Sequence, residues 1–219
     1  VSVMSLLLLA IRFGEVRHCY TMDQAMDYRM DIKNQGKLLK ELLPDMKNRC
    51  IEVSKSWKEF PCYDFIGAGF DYATAWFGQA KILEATGKFA MHINTEEWFH
   101  LNFFARNARE IGTVVVANTT NPAHSRSQEL VKYANVLHRP LVVITDGDCS
   151  DFHGEQAIYI KVPKSKYPIT MPLTQFAPVC LIAAYISQMV GEKYGRGCEG
   201  DWTFSQNGAG VVNSEIIVE

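Results

Sequence analysis

Residues 62–69 read Cys62-Tyr63-Asp64-Phe65-Ile66-Gly67-Ala68-Gly69, and a proline-free stretch follows as far as Ala85. A short run of aromatic and β-branched side chains that breaks into glycines predicts a strand, a tight turn and then a helix. Glycine suits such a turn because a residue without Cβ bends tightly and lets another group approach the backbone. The third glycine of a dinucleotide fingerprint is missing, since Tyr72 stands in its place. Two readings stay open: a plain strand-to-helix turn, or a turn in which Gly67 and Gly69 bring a substrate anion to the free N–H groups of the helix start.

Outward from this stretch the same alternation repeats. Further strands are predicted at Phe89 to Ile93, Thr113 to Ala117, Leu141 to Thr145 and Ala157 to Val162, the first being Cys62 to Ile66. Helices are predicted at Tyr72 to Ala85, Thr95 to Asn102, Ser125 to Leu137 and Thr174 to Val190. Strands separated by helices form a parallel sheet covered on both faces, because a parallel connection must cross over. The expectation is therefore an α/β sandwich with a five-stranded parallel sheet of the flavodoxin-like type. Ligands of such sheets bind beyond the carboxyl ends of the strands.

The flanks read differently. Residues 2–13 predict a buried helix, and Met22 to about Glu59 predict two helices, the second starting at Pro44, where a first turn tolerates proline. Val1 is not an initiator, and the opening helix reads as the end of an element whose preceding sequence is missing. From Gly191 the chain is rich in Gly, Asn and Ser and closes on Ile216-Ile217-Val218. The division expected is a helical segment over 1–59, an α/β domain over 60–190, and a tail over 191–219 that folds across the site.

Composition narrows the function. A net charge of -2 with no basic stripe gives no reason to expect nucleic acid. The apolar run near the N-terminus is too short to span a membrane and lacks the flanks of a signal peptide. Six scattered cysteines form no C-x-x-C pair, so no metal site is expected and a reducing, cytoplasmic setting is. His18, His92, His138 and His153 show no metal-ligand spacing.

Three further groups can carry chemistry. Glu84 ends the helix after the glycine turn beside Ala80, Ile82 and Leu83, so its carboxylate is expected to be partly desolvated, a base able to remove a carbon-bound proton. The alternative is an ordinary surface glutamate. In Asn94-Thr95-Glu96-Glu97-Trp98-Phe99-His100, Glu96 and His100 lie one helical turn apart, so the carboxylate can orient the imidazole or raise its basicity. The alternative is a histidine packed beside Trp98 and Phe103. Asn118-Thr119-Thr120-Asn121, with His124, Ser125 and Ser127, either binds phosphate or caps a helix.

Taken together, Phe65-Ile66-Gly67-Ala68-Gly69, Ala80-Lys81-Ile82-Leu83-Glu84 and Glu96-Glu97-Trp98-Phe99-His100 resemble the sugar isomerase (SIS) domain. The likeness is to the second SIS half of glucosamine-6-phosphate synthase and its relatives, the fructosamine-6-phosphate deglycases, and covers nearly the whole chain. In that family a glutamate closes a lys-leu-x-glu helix and a histidine follows in a glu-x-x-his segment; here Glu84 and His100 keep the family's spacing of sixteen residues. The resemblance implies that Glu84 moves a proton between C1 and C2 of an open-chain sugar phosphate. It implies that His100 assists ring opening, acting in the neighbouring subunit's site, so a homodimer is expected. Gly67, Gly69, Glu97 and Ser214 are the substrate-binding positions it suggests, and it requires no organic cofactor or metal.

Departures from the family pattern refine the expectation. The synthase's lysine near its C-terminus falls at about Ser214 here, which turns the reading away from synthase activity. The his-gly-pro of the family is His100-Leu101-Asn102. The family's serine- and threonine-rich phosphate loop belongs to the first SIS half. The expected activity is a deglycase that releases an amine from a fructosamine 6-phosphate and gives glucose 6-phosphate. An aminosugar-phosphate aldose–ketose isomerase and a non-catalytic sugar-phosphate sensor are the alternatives.

Overall fold

Residues 2–193 are described by the computed structural model. The last residues of the expected tail, from 194 on, lie outside it, Ser214 among them. The helices are α1 (Ser2–Val16), α2 (Met22–Trp57), α3 (Phe70–Thr86), α4 (Thr95–His100), α5 (His124–Val136) and α6 (Pro172–Met189). The strands are β1 (Cys62–Gly67), β2 (Phe89–Asn94), β3 (Ile111–Val116), β4 (Leu141–Thr145) and β5 (Ile158–Lys161).

All four strand pairings are parallel and the order is β2-β1-β3-β4-β5, the flavodoxin-like arrangement expected from the alternation. In register, Ile66 lies beside Ile93 on one side and Val115 on the other. Strands β3 and β4 are buried along their whole length, which is why they are near-continuous runs of Val, Ile and Leu.

The two faces of the sheet bury separate cores. On one, Tyr63, Phe65, Val114, Val142 and Ile144 pack against Met46, Cys50, Val53 and Trp57 of α2, Ile82 of α3, and Val179, Ile182 and Ile186 of α6. On the other, Ile66, Val115 and Val143 pack against Trp98 of α4 and Leu130, Val131 and Ala134 of α5. Alternation along each strand sends neighbours to opposite faces, so Phe65 and Ile66 serve different cores. Each fully buried side chain of this size contributes about 1.5–3 kcal/mol. Arg139 and Asp64 form a buried ion pair at 2.7 Å on the α4–α5 side, and Arg139 also donates to the carbonyl of Asn102 just beyond α4. Breaking such a pair from one side costs about 3–5 kcal/mol.

The flanking helices differ from the expectation in two ways. The stretch from Met22 is one 36-residue helix with Pro44 inside it, not two helices. Its start is set by a capping box, with Gln24 N–H donating to Thr21 Oγ1 at 3.2 Å and Thr21 N–H to Gln24 Oε1 at 2.9 Å. The burial of Met46, Cys50, Val53 and Trp57 beyond the proline carries the helix through it, tertiary packing outweighing one missing hydrogen bond. Helix α1 is not buried: Ile11 is its buried residue, and Leu6, Leu9 and Phe13 face outward. It rests against the first half of α2, where Ile11, Ala25 and Ile32 form a small cluster. The segment 168–189, which contains α6, is apolar and long enough to span a membrane by composition, but half of it is buried in this fold, where it packs against α2 and α3.

Candidate functional site

At the carboxyl ends of β1, β3 and β4 the protein's own carboxylates tie the loops together. Asp71, in the first turn of α3, is buried and accepts from Asn118 N–H at 3.1 Å, Asn121 Nδ2 at 2.8 Å and Gln175 Nε2 at 2.8 Å. The side-chain amide of Asn118 also donates to it, and Thr74 Oγ1 holds Gln175 by its oxygen at 2.7 Å. Burial pushes the Asp71 carboxyl above the usual carboxylate range, while the donors from Asn118, Gln175 and Asn121 pull the other way. Beside it, Asp146 accepts from Thr119 N–H at 2.7 Å and Thr119 Oγ1 at 3.1 Å. Of the two readings of 118–121, this geometry fits the capping-and-turn one: Asn121 Oδ1 accepts from Ala123 N–H at 2.9 Å, and Asn118, Thr119 and Asn121 donate to Asp71, Asp146 and the carbonyl of Ala68.

The glycine turn has its own structural cause. A Cβ at Gly67 would stand 2.6 Å from the carbonyl oxygen of Asp71, and Gly69 has φ of +54°. Asn121 Nδ2 donates to the carbonyl of Ala68 between them at 2.7 Å.

Glu84 sits at the other end of the sheet. Helix α3 starts where β1 ends and runs back, so its last turn lies near the strand starts, where Gly87 closes the helix in the left-handed conformation. The partial desolvation expected of Glu84 is not seen among the described residues: its side chain is 62% exposed and pairs with Lys81 one turn earlier. The 100° step of the helix explains this, since Ile82 faces the sheet and the next two residues rotate away from it. Alongside runs a cleft of about 570 Å³ between α1, α3 and α6, walled by Leu7, Phe77, Leu173 and Phe176. The cleft reaches Cys180, whose thiol is pushed up by burial and feels the charges of Lys81 and Glu84.

His100 ends α4, a six-residue helix capped by Asn94 Oδ1, which accepts from Glu96 N–H at 3.0 Å. Trp98 anchors α4 in the core, while His100 is 65% exposed rather than packed beside Trp98 and Phe103. Its Nε2 lies 3.3 Å from Glu96 Oε1, the one-turn pairing expected from the spacing. The same carboxylate is held by Arg126 of α5, Nε to Oε2 at 2.6 Å and Nη2 to Oε1 at 3.1 Å. Arg126, ahead of His100, holds the Glu96 carboxyl below the usual range. Glu97 is exposed on the same helix.

Glu84 and His100 therefore flank the edge strand β2 from opposite faces of the sheet, and the chain does not bring them together. Apolar side chains are exposed on both elements: Trp76 and, next to Glu84, Leu83 on α3, and Leu101, next to His100, and Phe104 just after α4. The outer edge of β2 is closed to strand addition at His92, whose backbone N–H donates to Gln79 Oε1 at 2.8 Å. The sequence reading missed Asp71, Gln175, Asp146 and Arg126. Asp71 carried a faint signal as an acidic residue in the first helical turn after the glycines, whereas Gln175 and Arg126 act on partners 104 and 30 residues away and carried none.

No family model and no curated protein matches this chain. Its fold is similar to the C-terminal domain of glucosamine-fructose-6-phosphate aminotransferase from Francisella tularensis, with a TM-score of 0.75 and 16% identity over 84% of this chain and 51% of that one. The chain thus spans about half the length of that domain. It is similar to tagatose-6-phosphate ketose/aldose isomerase from Escherichia coli, at 0.60 and 14% over 76% and 45%. It is also similar to the sugar isomerase domain of an RpiR transcription factor from Sphaerobacter thermophilus, at 0.56 and 16% over 74% and 88%. The parallel sheet, its strand order and these likenesses agree, and the chain has the fold of the sugar isomerase (SIS) domain.

Proposed function

We propose that this chain is the acid–base half of a phosphosugar enzyme, a deglycase acting on fructosamine 6-phosphates. One observation carries the reading: Glu84 and His100, at the family's spacing, stand solvent-exposed and, among the described residues, pair only with surface side chains, on either side of the edge strand of an SIS fold. Neither side chain holds the fold together, so both are available to a ligand.

The chemistry follows from the groups. Glu84 carboxylate removes a proton from C1 of the open-chain fructosamine phosphate and returns it at C2, while the proton on nitrogen passes to the C2 oxygen, so the C2 ketone and C1 amine become a C2 hydroxyl and a C1 imine. Water adds to that imine, the C1–N bond breaks, and amine and glucose 6-phosphate leave. His100 moves the proton that opens the sugar ring. Since one chain holds the two residues on opposite faces, the site takes Glu84 from one copy and His100 from another, in a homodimer that covers Trp76, Leu83, Leu101 and Phe104. Glu97 and, outside the described residues, Ser214 are assigned to substrate binding by the same resemblance; Gly67 and Gly69, at the end of the sheet opposite Glu84, are assigned to it only from another copy of the chain, and the tail over 191–219 is assigned the role of cover.

Two neighbouring folds support other readings. The tagatose-6-phosphate isomerase favours aldose–ketose isomerisation without hydrolysis, and the RpiR domain favours a sensor. The deciding experiment incubates the protein with fructoselysine 6-phosphate and related fructosamine phosphates and measures glucose 6-phosphate. Product that vanishes in Glu84→Gln is the expected result. Thermal stabilisation by the same compounds without any product would establish the sensor, and an aminosugar phosphate interconverted without amine release would establish the isomerase.

A further inference from the structure

We infer that Arg126 is a positioning residue for His100: its two-point hold on Glu96 sets how strongly that carboxylate draws a proton onto the imidazole. The inference rests on the reading of His100 as an acid–base group, but its test does not require turnover.

The Glu96 carboxylate has two claimants. Arg126 takes both oxygens, at 2.6 Å and 3.1 Å, in the fork geometry a guanidinium offers a carboxylate. His100 reaches one of those oxygens at 3.3 Å. Arg126 is itself fixed, since its guanidinium lies 3.6 Å from the centre of the Phe99 ring and its remaining nitrogen donates to Glu129. Phe99 is anchored beside Trp98 at 5.4 Å and Tyr133 at 5.9 Å between ring centres, so the guanidinium rests on a packed aromatic platform. A carboxylate whose two oxygens already face a fixed positive charge has less attraction left for an imidazolium.

The remaining charges around α4 do not replace this effect. Glu97 on the same helix is exposed, Glu129 is turned to Arg126, and the Asp64–Arg139 pair under Trp98 is buried and self-compensating. His100 and Glu96 are both more than half exposed, so water and salt limit the effect to that of a surface pair. Nothing local to the sequence around His100 provides this control, which comes from the first turn of α5, 30 residues on from Glu96.

The test follows the His100 ring by NMR while pH is varied, in the wild type, Arg126→Met, Arg126→Lys, Glu96→Gln and the Arg126→Met, Glu96→Gln double variant. Expected is protonation of His100 at higher pH in Arg126→Met, a smaller displacement in Arg126→Lys, and no effect of Arg126→Met once Glu96 is Gln. An unchanged or lower midpoint in Arg126→Met overturns the inference. So does an equal displacement in the Glu96→Gln background, which would mean that Arg126 acts on His100 by its own charge. If His100→Ala abolishes deglycase turnover while Arg126→Met leaves the titration unmoved, this inference fails and the proposed function stands. If the titrations behave as expected and no substrate turns over, the proposed function fails alone.

Discussion

Asp71 and Asn118 are joined twice, by the backbone N–H and by the side-chain amide of Asn118, so the start of α3 is tied to the end of β3 through a single carboxylate. Asn121 and Gln175 add two more donors to the same group. This knot lies at the end of the sheet where ligands of open α/β folds usually sit. Glu84 lies at the opposite end.

Asp71→Asn places an amide among donors that all require an acceptor. Expected is a loss of about 2 kcal/mol, one or two buried hydrogen bonds with a donor left unpaired. For a chain of this size that lowers the melting temperature by about 4–8 °C. An unchanged melting curve would show that the four donors find water or other partners on their own.

The same carboxyl gives a pH signature. Burial raises its folded-state value above the unfolded one, so between the two values the native state holds the extra proton. Stability contributed by this group therefore rises as pH falls from neutrality through that window. Denaturant unfolding of wild type and Asp71→Asn at pH 7.5 and pH 5 checks the sign, other carboxylates cancelling in the difference. The advantage of the wild type is expected to be larger at the lower pH; a smaller one would mean that the donors outweigh burial.

Glu84→Gln separates chemistry from folding. The side chain is exposed and its ion pair with Lys81 spans one turn of surface helix, so the variant is expected to melt within about 2 °C of the wild type. Turnover of fructosamine phosphates is expected to disappear, with affinity retained within a few-fold because shape is kept and charge is lost. Equal turnover in the variant removes Glu84 from the mechanism.

His100→Ala is expected to slow cyclic substrates more than analogues locked in the open chain, since the residue is assigned to ring opening. Comparing kcat/KM for the two classes decides it: an equal loss on both contradicts that role.

Gly67→Ala tests whether the glycine turn is structural. The added methyl would meet the Asp71 carbonyl oxygen at 2.6 Å, and backbone cannot yield as a flexible side chain does. A loss of about 1–3 kcal/mol in denaturant unfolding is expected. Stability equal to the wild type, with weakened substrate affinity, would instead return Gly67 to a purely binding role.

Strand and helix positions, the parallel sheet and the placement of Glu96 one turn before His100 were legible in the sequence, because periodicity and turn chemistry act over a few residues. Runs such as Val114-Val115-Val116 fit a strand buried on both faces, and Gly67-Ala68-Gly69 marks where β1 must turn. Pro44 misled because the helix it interrupts is held by burial along α6, a partner more than 120 residues away. The exposure of Glu84, the separation of Glu84 from His100 by the sheet, the claim of Arg126 on Glu96 and the tying of the carboxyl-end loops by Asp71 and Asp146 were decided only by the tertiary structure. Each depends on which face of an element meets the sheet and on which distant residue is carried beside it. A local pattern can place a side chain on a helix, but only the packed fold decides what that side chain touches.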